Sequence, residues 1–304
     1  MDRRAFFKTT VSAAAAFAIT PLLKRYENLY AQTVMPKYDL TAVIGGQPDK
    51  MLDSALSSIG GIGTIVKKGS RVVIKPNAAW DVEPIKAANT NPLIVTGLIA
   101  HCLAAGAKEV LVFDNTCDNW KKSYKNSGIE KAVKDAGGKM VPANSEKYYQ
   151  KVDLPSAVKL KNAKVHELML DCDVFINVPV LKHHSSTKMT SAMKNLMGAV
   201  WDRGFWHVND LHQCIADFPF LRKPDLNIID AYRVMMNHGP RGSSGSIVEN
   251  KKALILSSDI VAADSAAAKI FGLDPSSVQY IKTADSLKLG KMDLTSLKIN
   301  RITL

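Results

Sequence analysis

Short apolar runs rich in Val, Ile and Leu alternate with amphipathic stretches along most of this chain, and the alternation restricts its fold class. Continuous apolar runs of this length are typical of strands buried on both faces of a sheet. The predicted strands cover residues 40–44, 71–75, 109–114, 139–141, 173–178, 226–230 and 252–257. The predicted helices cover residues 49–58, 92–105, 127–136, 190–199, 208–217, 260–271 and 275–287. Strands alternating with helices indicate an α/β protein.

The predicted architecture is an open, mainly parallel sheet with helices on both faces. Residues 38–304 are expected to form a single domain, because no internal repeat or low-complexity segment divides them. A long interval separates the strand that ends near Val178 from the next strand at 226. That interval predicts an insertion over one edge of the sheet.

Residues 1–32 have the composition of a signal peptide. A charged start containing Arg3, Arg4 and Lys8 precedes an apolar run over residues 9–23, which is shorter than the about 20 residues of a membrane span. The paired arginines followed by Ala-Phe-Phe-Lys resemble the twin-arginine consensus, which the twin-arginine export machinery reads as an address. We therefore expect a periplasmic or otherwise exported protein, cleaved near Tyr30. An amphipathic N-terminal helix is the competing interpretation.

The net charge and the spacing of the cysteines limit the kinds of ligand that this protein is expected to bind. The net charge is +12, and residues 1–32 hold five basic and two acidic side chains, which leaves +9 for the rest. A dispersed positive surface favours anionic small molecules or a membrane surface, and no nucleic-acid motif is present. None of Cys102, Cys117, Cys172 and Cys214 belongs to a C-x-x-C pair, so no iron–sulfur cluster motif is present. An oxidising compartment would allow them to pair.

Polar residues follow five of the apolar runs. In an open α/β sheet, ligands bind in the crevice outside the carboxyl ends of the strands. Solvent-exposed strand ends are polar in any protein, but five of one kind favour a shared site. The candidate ligand-binding residues at these ends are Lys75, Asn77, Asn177 and Asp230, and Asp114 is a candidate catalytic residue.

Residues 177–198 are the densest polar segment. Lys182 and Lys194 each offer a compact positive charge to a phosphate or carboxylate, and Asn195 follows near the end of a predicted helix. His183 and His184 are adjacent, so in an extended chain they point to opposite sides and at most one faces a given site. Both are candidate catalytic residues for proton transfer.

Histidines are concentrated in the same part of the chain, with five of the seven between residues 183 and 238. Because imidazole is the commonest metal ligand, a transition metal held by His183, His184 and His207 is one interpretation. Folded export through the twin-arginine route also favours a cofactor. No H-E-x-x-H spacing is present, so ordinary surface or core histidines are the alternative. The Trp201–Trp206 segment is interpreted as packing.

Several common enzyme signatures are missing from the sequence. It contains no G-x-S-x-G elbow, no G-x-G-x-x-G after a strand, and no cysteine in an obviously activating setting. The glycine-rich loop at 237–245 lacks Walker spacing.

Several motifs together resemble the family known as domain of unknown function 362. They are V-V-I-K-P-N at 72–77, V-L-V-F-D-N at 110–115, S-G-I-E-K-A-V-K-D-A-G at 127–137, N-V-P-V-L-K-H-H at 177–184, M-K-N-L-M-G at 193–198, I-I-D-A-Y at 228–232 and H-G-P-R-G at 238–242. The resemblance extends over about residues 40–285 and implies the fold and the site positions. Members are often exported, and some carry a ferredoxin-like iron–sulfur module whose cysteines this chain lacks.

Three functions are compatible with these residues. The first is an enzyme or cofactor-dependent redox accessory that acts on an anionic small molecule at the strand ends. The second is a non-catalytic periplasmic protein that binds an anionic solute. The third is an accessory subunit of an exported redox complex. Clustered titratable groups favour the first, but the sequence leaves open whether the chain is an enzyme.

Overall fold

The apolar runs form buried strands of one large sheet in the computed structural model, which describes residues 37–304. The strands are β1 Leu40–Ile44, β2 Arg71–Pro76, β3 Glu109–Val112, β4 Lys139–Met140, β5 Tyr149–Asp153, β6 Asn162–His166, β7 Val174–Val178, β8 Val180–His184, β9 Lys188–Thr190, β10 Leu226–Met235, β11 Val248–Glu249, β12 Ala253–Ser257 and β13 Ile299–Thr303. Strands β5 and β6 pair with each other in a separate two-stranded sheet, and the others belong to the large sheet. The α-helices are α1 Pro48–Ser58, α2 Pro92–Ala104, α3 Trp120–Asn126, α4 Ile129–Asp135, α5 Glu167–Asp171, α6 Ala192–Asn195, α7 Gly204–Val208, α8 Leu211–Asp217, α9 Ile260–Phe271 and α10 Gln279–Ser286.

The main sheet has the order β13-β1-β12-β10-β7-β2-β3-β4. Strand β12 runs antiparallel to both of its neighbours, β1 and β10. All the other neighbours in this order pair in parallel. The predicted fold class, an α/β protein with a mainly parallel sheet, is therefore confirmed.

Helices cover both faces of the sheet because its strands are apolar on both sides. Along β2, Val72 and Ile74 pack on one face with α1, α2 and α4, and Val73 packs on the other face with α5, α8, α9 and α10. None of these three side chains has any exposed area. Burial on both faces fixes the strand register, so the position of each strand end is well determined.

Local signals set the helix boundaries. Helix α2 begins at Pro92, which follows the capping residue Asn91, whose Oδ1 accepts a hydrogen bond from Leu93 N at 3.1 Å. Helix α9 is capped by Asp259 and ends at Gly272, which has φ +92°. These boundaries lie at or within one residue of those predicted from the sequence.

The segment after β7 differs from its prediction. The chain turns at Pro179 and continues as β8, which pairs in parallel with the second half of β10, and β9 then pairs back onto β8. Strand β10 runs to Met235, well past the predicted end at 230, and so provides an edge for β8. The β8–β9 part of the segment therefore lies at the carboxyl ends of central strands, and α8 packs on one face of the sheet, so the segment does not lie over an edge as predicted.

Residues 37–304 make up one compact unit. The predicted signal peptide at 1–32 lies outside the described residues. Among the described helices, none combines the length and the apolar character needed to cross a membrane. Within the same range the four cysteines are free thiols, and Cys102 and Cys172 are buried.

Candidate functional site

Three asparagine side chains connect the strand ends beneath the site. Asn177 Nδ2 donates to Asn227 Oδ1 at 3.0 Å and to the carbonyl of Ala192 at 3.0 Å. Asn195 Nδ2 donates to Asn177 Oδ1 at 2.9 Å and to the carbonyl of Lys75 at 3.2 Å. Amides can donate and accept at once, so this buried network holds α6 against the ends of β2 and β7 and the start of β10.

A buried ion pair completes the base of the site. Lys75 Nζ lies 2.7 Å from Asp114 Oδ1, and the two side chains are 0% and 2% exposed. Asp114 Oδ2 accepts a hydrogen bond from Ala78 N at 2.7 Å. Burial lowers the pKa of Lys75, and the carboxylate of Asp114 opposes this effect. Both charges are therefore already partnered within the protein.

A cleft of about 530 Å³ lies above this base, at the carboxyl ends of the strands. Seven residues that were predicted for the site line it. They are Asn77, Asp114, Lys182, His184, Lys194, Asn195 and His207. Lys75 and Asn177 lie beneath it, in the buried network. The volume is in the range of small-molecule sites, which is about 300–1,000 Å³.

Lys182 enters the cleft from β8. Its Nζ donates to Asn77 Oδ1 at 3.3 Å and to the carbonyl of Ala88, and it lies 5.9 Å from the ring centroid of Trp80. Within residues 37–304, no carboxylate lies within ion-pair distance of it. Burial lowers the pKa of Lys182 to about 7, and nearby Lys194 contributes to this decrease.

Lys194 enters the cleft from α6, and its hydrogen-bond acceptor is weaker than those of Lys182. Its Nζ lies 3.1 Å from the thioether sulfur of Met197, which is a poor hydrogen-bond acceptor. The described part of the chain places no carboxylate within ion-pair distance of Lys194 either. Burial lowers the pKa of Lys194 to about 8, and the guanidinium of Arg203 lowers it further.

Arg203 adds a third cation to the cleft wall. Its guanidinium donates to the carbonyls of Asn115 and Thr116, each at 2.8 Å, and Nη1 lies 3.5 Å from Cys117 Sγ. Sequence reasoning missed Arg203 and Cys117, because segment 201–206 reads as packing and Cys117 has no motif around it. Cys117 and Trp80 lie a few residues after strand ends. A search for site residues that extended a few positions beyond each predicted strand would have identified both.

The side chains of His183 and His184 point to opposite sides, as expected for neighbours in an extended strand. His184 lines the cleft, whereas His183 Nδ1 accepts a hydrogen bond from Gly239 N at 3.1 Å outside it. His184 Nδ1 accepts a hydrogen bond from Ser186 N at 3.2 Å, so its Nε2 carries the proton. Burial lowers the pKa of His184 to about 3, so at neutral pH this ring is an uncharged N–H donor.

The histidines proposed as metal ligands are not brought together as a set of three, since His183 lies outside the cleft that His184 and His207 line. Across residues 37–304, no group of three or more His, Cys, Asp or Glu side chains has an arrangement able to hold a metal ion. The transition metal stays a prediction.

Asp230 lies outside the cleft. Its carboxylate accepts hydrogen bonds from Asn91 N at 2.8 Å and from Tyr232 N at 3.0 Å. Burial raises the pKa of Asp230 to about 6. In this position Asp230 holds the start of α2 against β10. The sequence placed Asp230 at a strand end, but β10 continues to Met235, so this structural role was not predicted.

The fold and the cleft define an α/β protein with a polar cleft, lined by Lys182, Lys194 and Arg203, at the carboxyl ends of its strands. The family model described as "Domain of unknown function (DUF362)" matches residues 72–269, which is more than half of the chain. The chain belongs to this family. The matched range includes every residue of the site described above.

Two other comparisons give similar proteins. Thylakoid-associated protein sll1697 of Synechocystis sp. is 26% identical over 246 residues, which cover 78% of this chain and 74% of that protein. The lactate racemase apoprotein of Thermoanaerobacterium thermosaccharolyticum superposes with a TM-score of 0.49 at 12% identity. That superposition covers 77% of this chain and only 56% of the apoprotein.

Proposed function

We propose that this protein binds an anionic small molecule in the cleft at the carboxyl ends of its central strands. One observation carries the proposal: Lys182 and Lys194 are 1% and 9% exposed, and neither has a carboxylate partner within residues 37–304. Burying an unpaired ammonium group is costly. A bound carboxylate or phosphate would supply the missing counter-charge.

The charge balance of the cleft supports the same ligand class. Lys182, Lys194 and Arg203 line it, and of the described lining residues only Asp114 carries a carboxylate. Both oxygens of that carboxylate already accept hydrogen bonds, from Lys75 and Ala78. The remaining positive potential attracts anions, and the surrounding low-dielectric walls strengthen it.

Uncharged donors in the cleft fit the polar part of such a ligand. His184 offers an N–H, and Ser185, Ser186 and Thr190, whose side chains carry hydroxyl groups, also line the cleft. Hydroxyl groups can donate or accept, so they suit a hydroxyl, carbonyl or carboxylate substituent. A small organic acid or phosphate ester combines the required charge with these groups.

Thermal unfolding with added anions tests the proposal. Sulfate, phosphate, oxalate and citrate would be compared for wild type, Lys182→Met and Lys282→Met. Lys282 is an exposed lysine outside the cleft, so its variant removes the same charge from the surface. At least one anion is expected to raise the melting temperature of wild type and Lys282→Met but not of Lys182→Met. Equal stabilisation of all three proteins would contradict the proposal.

We also propose that the chain is exported through the twin-arginine route. Arg3 and Arg4 followed by an apolar run support this localisation. Replacing both arginines by lysine is expected to retain the protein inside the cell, as fractionation would detect. Metal analysis of the exported wild-type pool tests the transition-metal prediction, and sub-stoichiometric metal would contradict it.

A further inference from the structure

We infer that Lys194 is a nucleophilic amine, which forms an imine with the carbonyl group of an anionic aldehyde or keto acid held by Lys182 and Arg203. The inference rests on the proposed function, because it names the substrate class of the same cleft. Lys182 and Lys194 both line that cleft, yet their surroundings differ in a way that separates an anchoring charge from a reactive amine.

Burial gives Lys182 the lower pKa of the two lysines, but its immediate partners stabilise the ammonium form that a bound anion would restore. The carbonyl of Ala88 and Asn77 Oδ1 accept its hydrogens, and the ring of Trp80 lies nearby. Deprotonation would weaken each of these interactions. Lys182 is therefore suited to hold the anionic group of a ligand.

Lys194 has no comparable set of acceptors among the described residues. Within residues 37–304 the hydrogen-bond partner of its Nζ is the thioether of Met197, so it loses little hydrogen bonding when it gives up its proton. The buried position and the neighbouring guanidinium of Arg203 both favour the neutral amine. A desolvated lysine beside a second cation is a known arrangement for an amine that attacks carbonyl groups.

Lys75, the third buried lysine of the region, does not share this arrangement. It forms an ion pair with Asp114 at 2.7 Å and lies beneath the cleft, where Gly198 covers it. Of the three buried lysines in this region, Lys194 is thus the one whose nitrogen is both accessible from the cleft and least engaged in hydrogen bonds.

The reaction is a condensation that needs no oxidant or reductant. The neutral Nζ of Lys194 attacks the carbonyl carbon, a C–N bond forms, and the carbonyl oxygen takes a proton that the nitrogen releases. The resulting carbinolamine loses its C–O bond, and the second nitrogen proton leaves with the oxygen as water. The N–H of His184 and the hydroxyl of Thr190 line the same cleft and can donate to that oxygen.

Trapping with glyoxylate, a small aldehyde with a carboxylate, tests the inference. The full chain would be treated with limiting glyoxylate and cyanoborohydride, digested, and analysed by mass spectrometry. Lys194 is expected to gain the mass of glyoxylate less one oxygen at least about tenfold faster than exposed Lys282, since the cleft orients the two groups. The yield is expected to rise between pH 6 and pH 9, as the amine loses its proton. Preferential labelling of Lys182, or equal labelling of exposed lysines, would overturn the inference.

Lys194→Arg separates this inference from the proposed function. Arginine keeps the positive charge but does not form the imine, so this variant should still be stabilised by sulfate while it loses the trapped adduct. Circular dichroism would confirm that the variant is folded. If sulfate stabilises wild type but glyoxylate does not label Lys194, the inference fails and the proposed function stands. If neither is observed, both fail.

Discussion

Gly198 lies directly against the carboxylate of Asp114. A β-carbon built on residue 198 would stand 1.9 Å from Asp114 Oδ1 and 2.5 Å from Lys75 Nζ. The carbonyl of Gly198 also accepts a hydrogen bond from Asn115 N at 2.8 Å. The backbone after α6 can therefore close over the buried ion pair only because this position has no side chain.

Gly198→Ala is expected to destabilise the protein by about 3 kcal/mol or more, because the methyl group overlaps two buried charged atoms. Chemical denaturation would measure the free energy of unfolding. Gly63→Ala is the matched control, since a β-carbon at residue 63 meets nothing within 4 Å. Similar losses in the two variants would show that close approach at residue 198 is not the cause.

Asp114→Asn is expected to cost about 3–5 kcal/mol, because it leaves the buried ammonium of Lys75 without its counter-charge. Adding Lys75→Met should recover part of this loss, so a double-mutant cycle measures the coupling. Asp135→Asn is the control, since Asp135 pairs with Lys131 on the exposed surface and should change stability by less than about 0.5 kcal/mol. Additive losses at residues 75 and 114 would argue against a coupled pair.

The stability of the unliganded protein should depend on the two cleft lysines at alkaline pH. The pKa values of Lys182 and Lys194 are about 7 and about 8 in the folded protein, against an ordinary value of 10.5. Between these values and pH 10 the unfolded chain binds more protons, so this contribution to stability rises with pH. Lys194→Met should remove part of the rise and stabilise the protein at pH 7 by about 1–3 kcal/mol. An unchanged pH profile would contradict the burial of an unpaired amine.

Cys117 provides a probe of the electrostatic potential in the cleft. This exposed thiol lines the cleft with Lys182 and Lys194 and lies 3.5 Å from Arg203 Nη1. Iodoacetate is an anion and iodoacetamide is neutral. The ratio of the alkylation rate of Cys117 by iodoacetate to its rate by iodoacetamide should be about tenfold higher in the folded protein than in the unfolded chain. Salt and Lys182→Met should each reduce this preference. Equal preference in the folded and unfolded protein would indicate that the cleft is not positive.

Much of the base of the site could be predicted from the sequence. Lys75, Asn77, Asp114 and Asn177 each follow a continuous apolar run, and burial on both faces of the sheet places such ends together. The strand Val180–His184 was not predicted, because three polar residues interrupt its apolar pattern and its partner is β10, far along the chain. Local patterns do not encode such long-range pairing.

Residues from distant loops were also beyond prediction. Arg203 reaches the cleft only because its guanidinium is held by carbonyls of the loop after β3. Asp230 follows an apolar run but lies within β10, which continues to Met235, and two backbone N–H groups hold its carboxylate outside the cleft. In both cases tertiary hydrogen bonds, which the local sequence does not specify, decide the role.

Proton uptake on anion binding is the most direct test of whether anions bind at the buried lysines. At pH 8 Lys182, with a pKa of about 7, is largely neutral, whereas exposed lysines remain protonated. Calorimetric titration of oxalate or sulfate, in buffers that differ in ionisation enthalpy, would measure the protons bound with each anion. Uptake of about one proton per anion is expected in wild type and in Lys282→Met, and its loss is expected in Lys182→Met. Anion binding without proton uptake, or the same uptake in Lys182→Met, would contradict binding at the buried lysines.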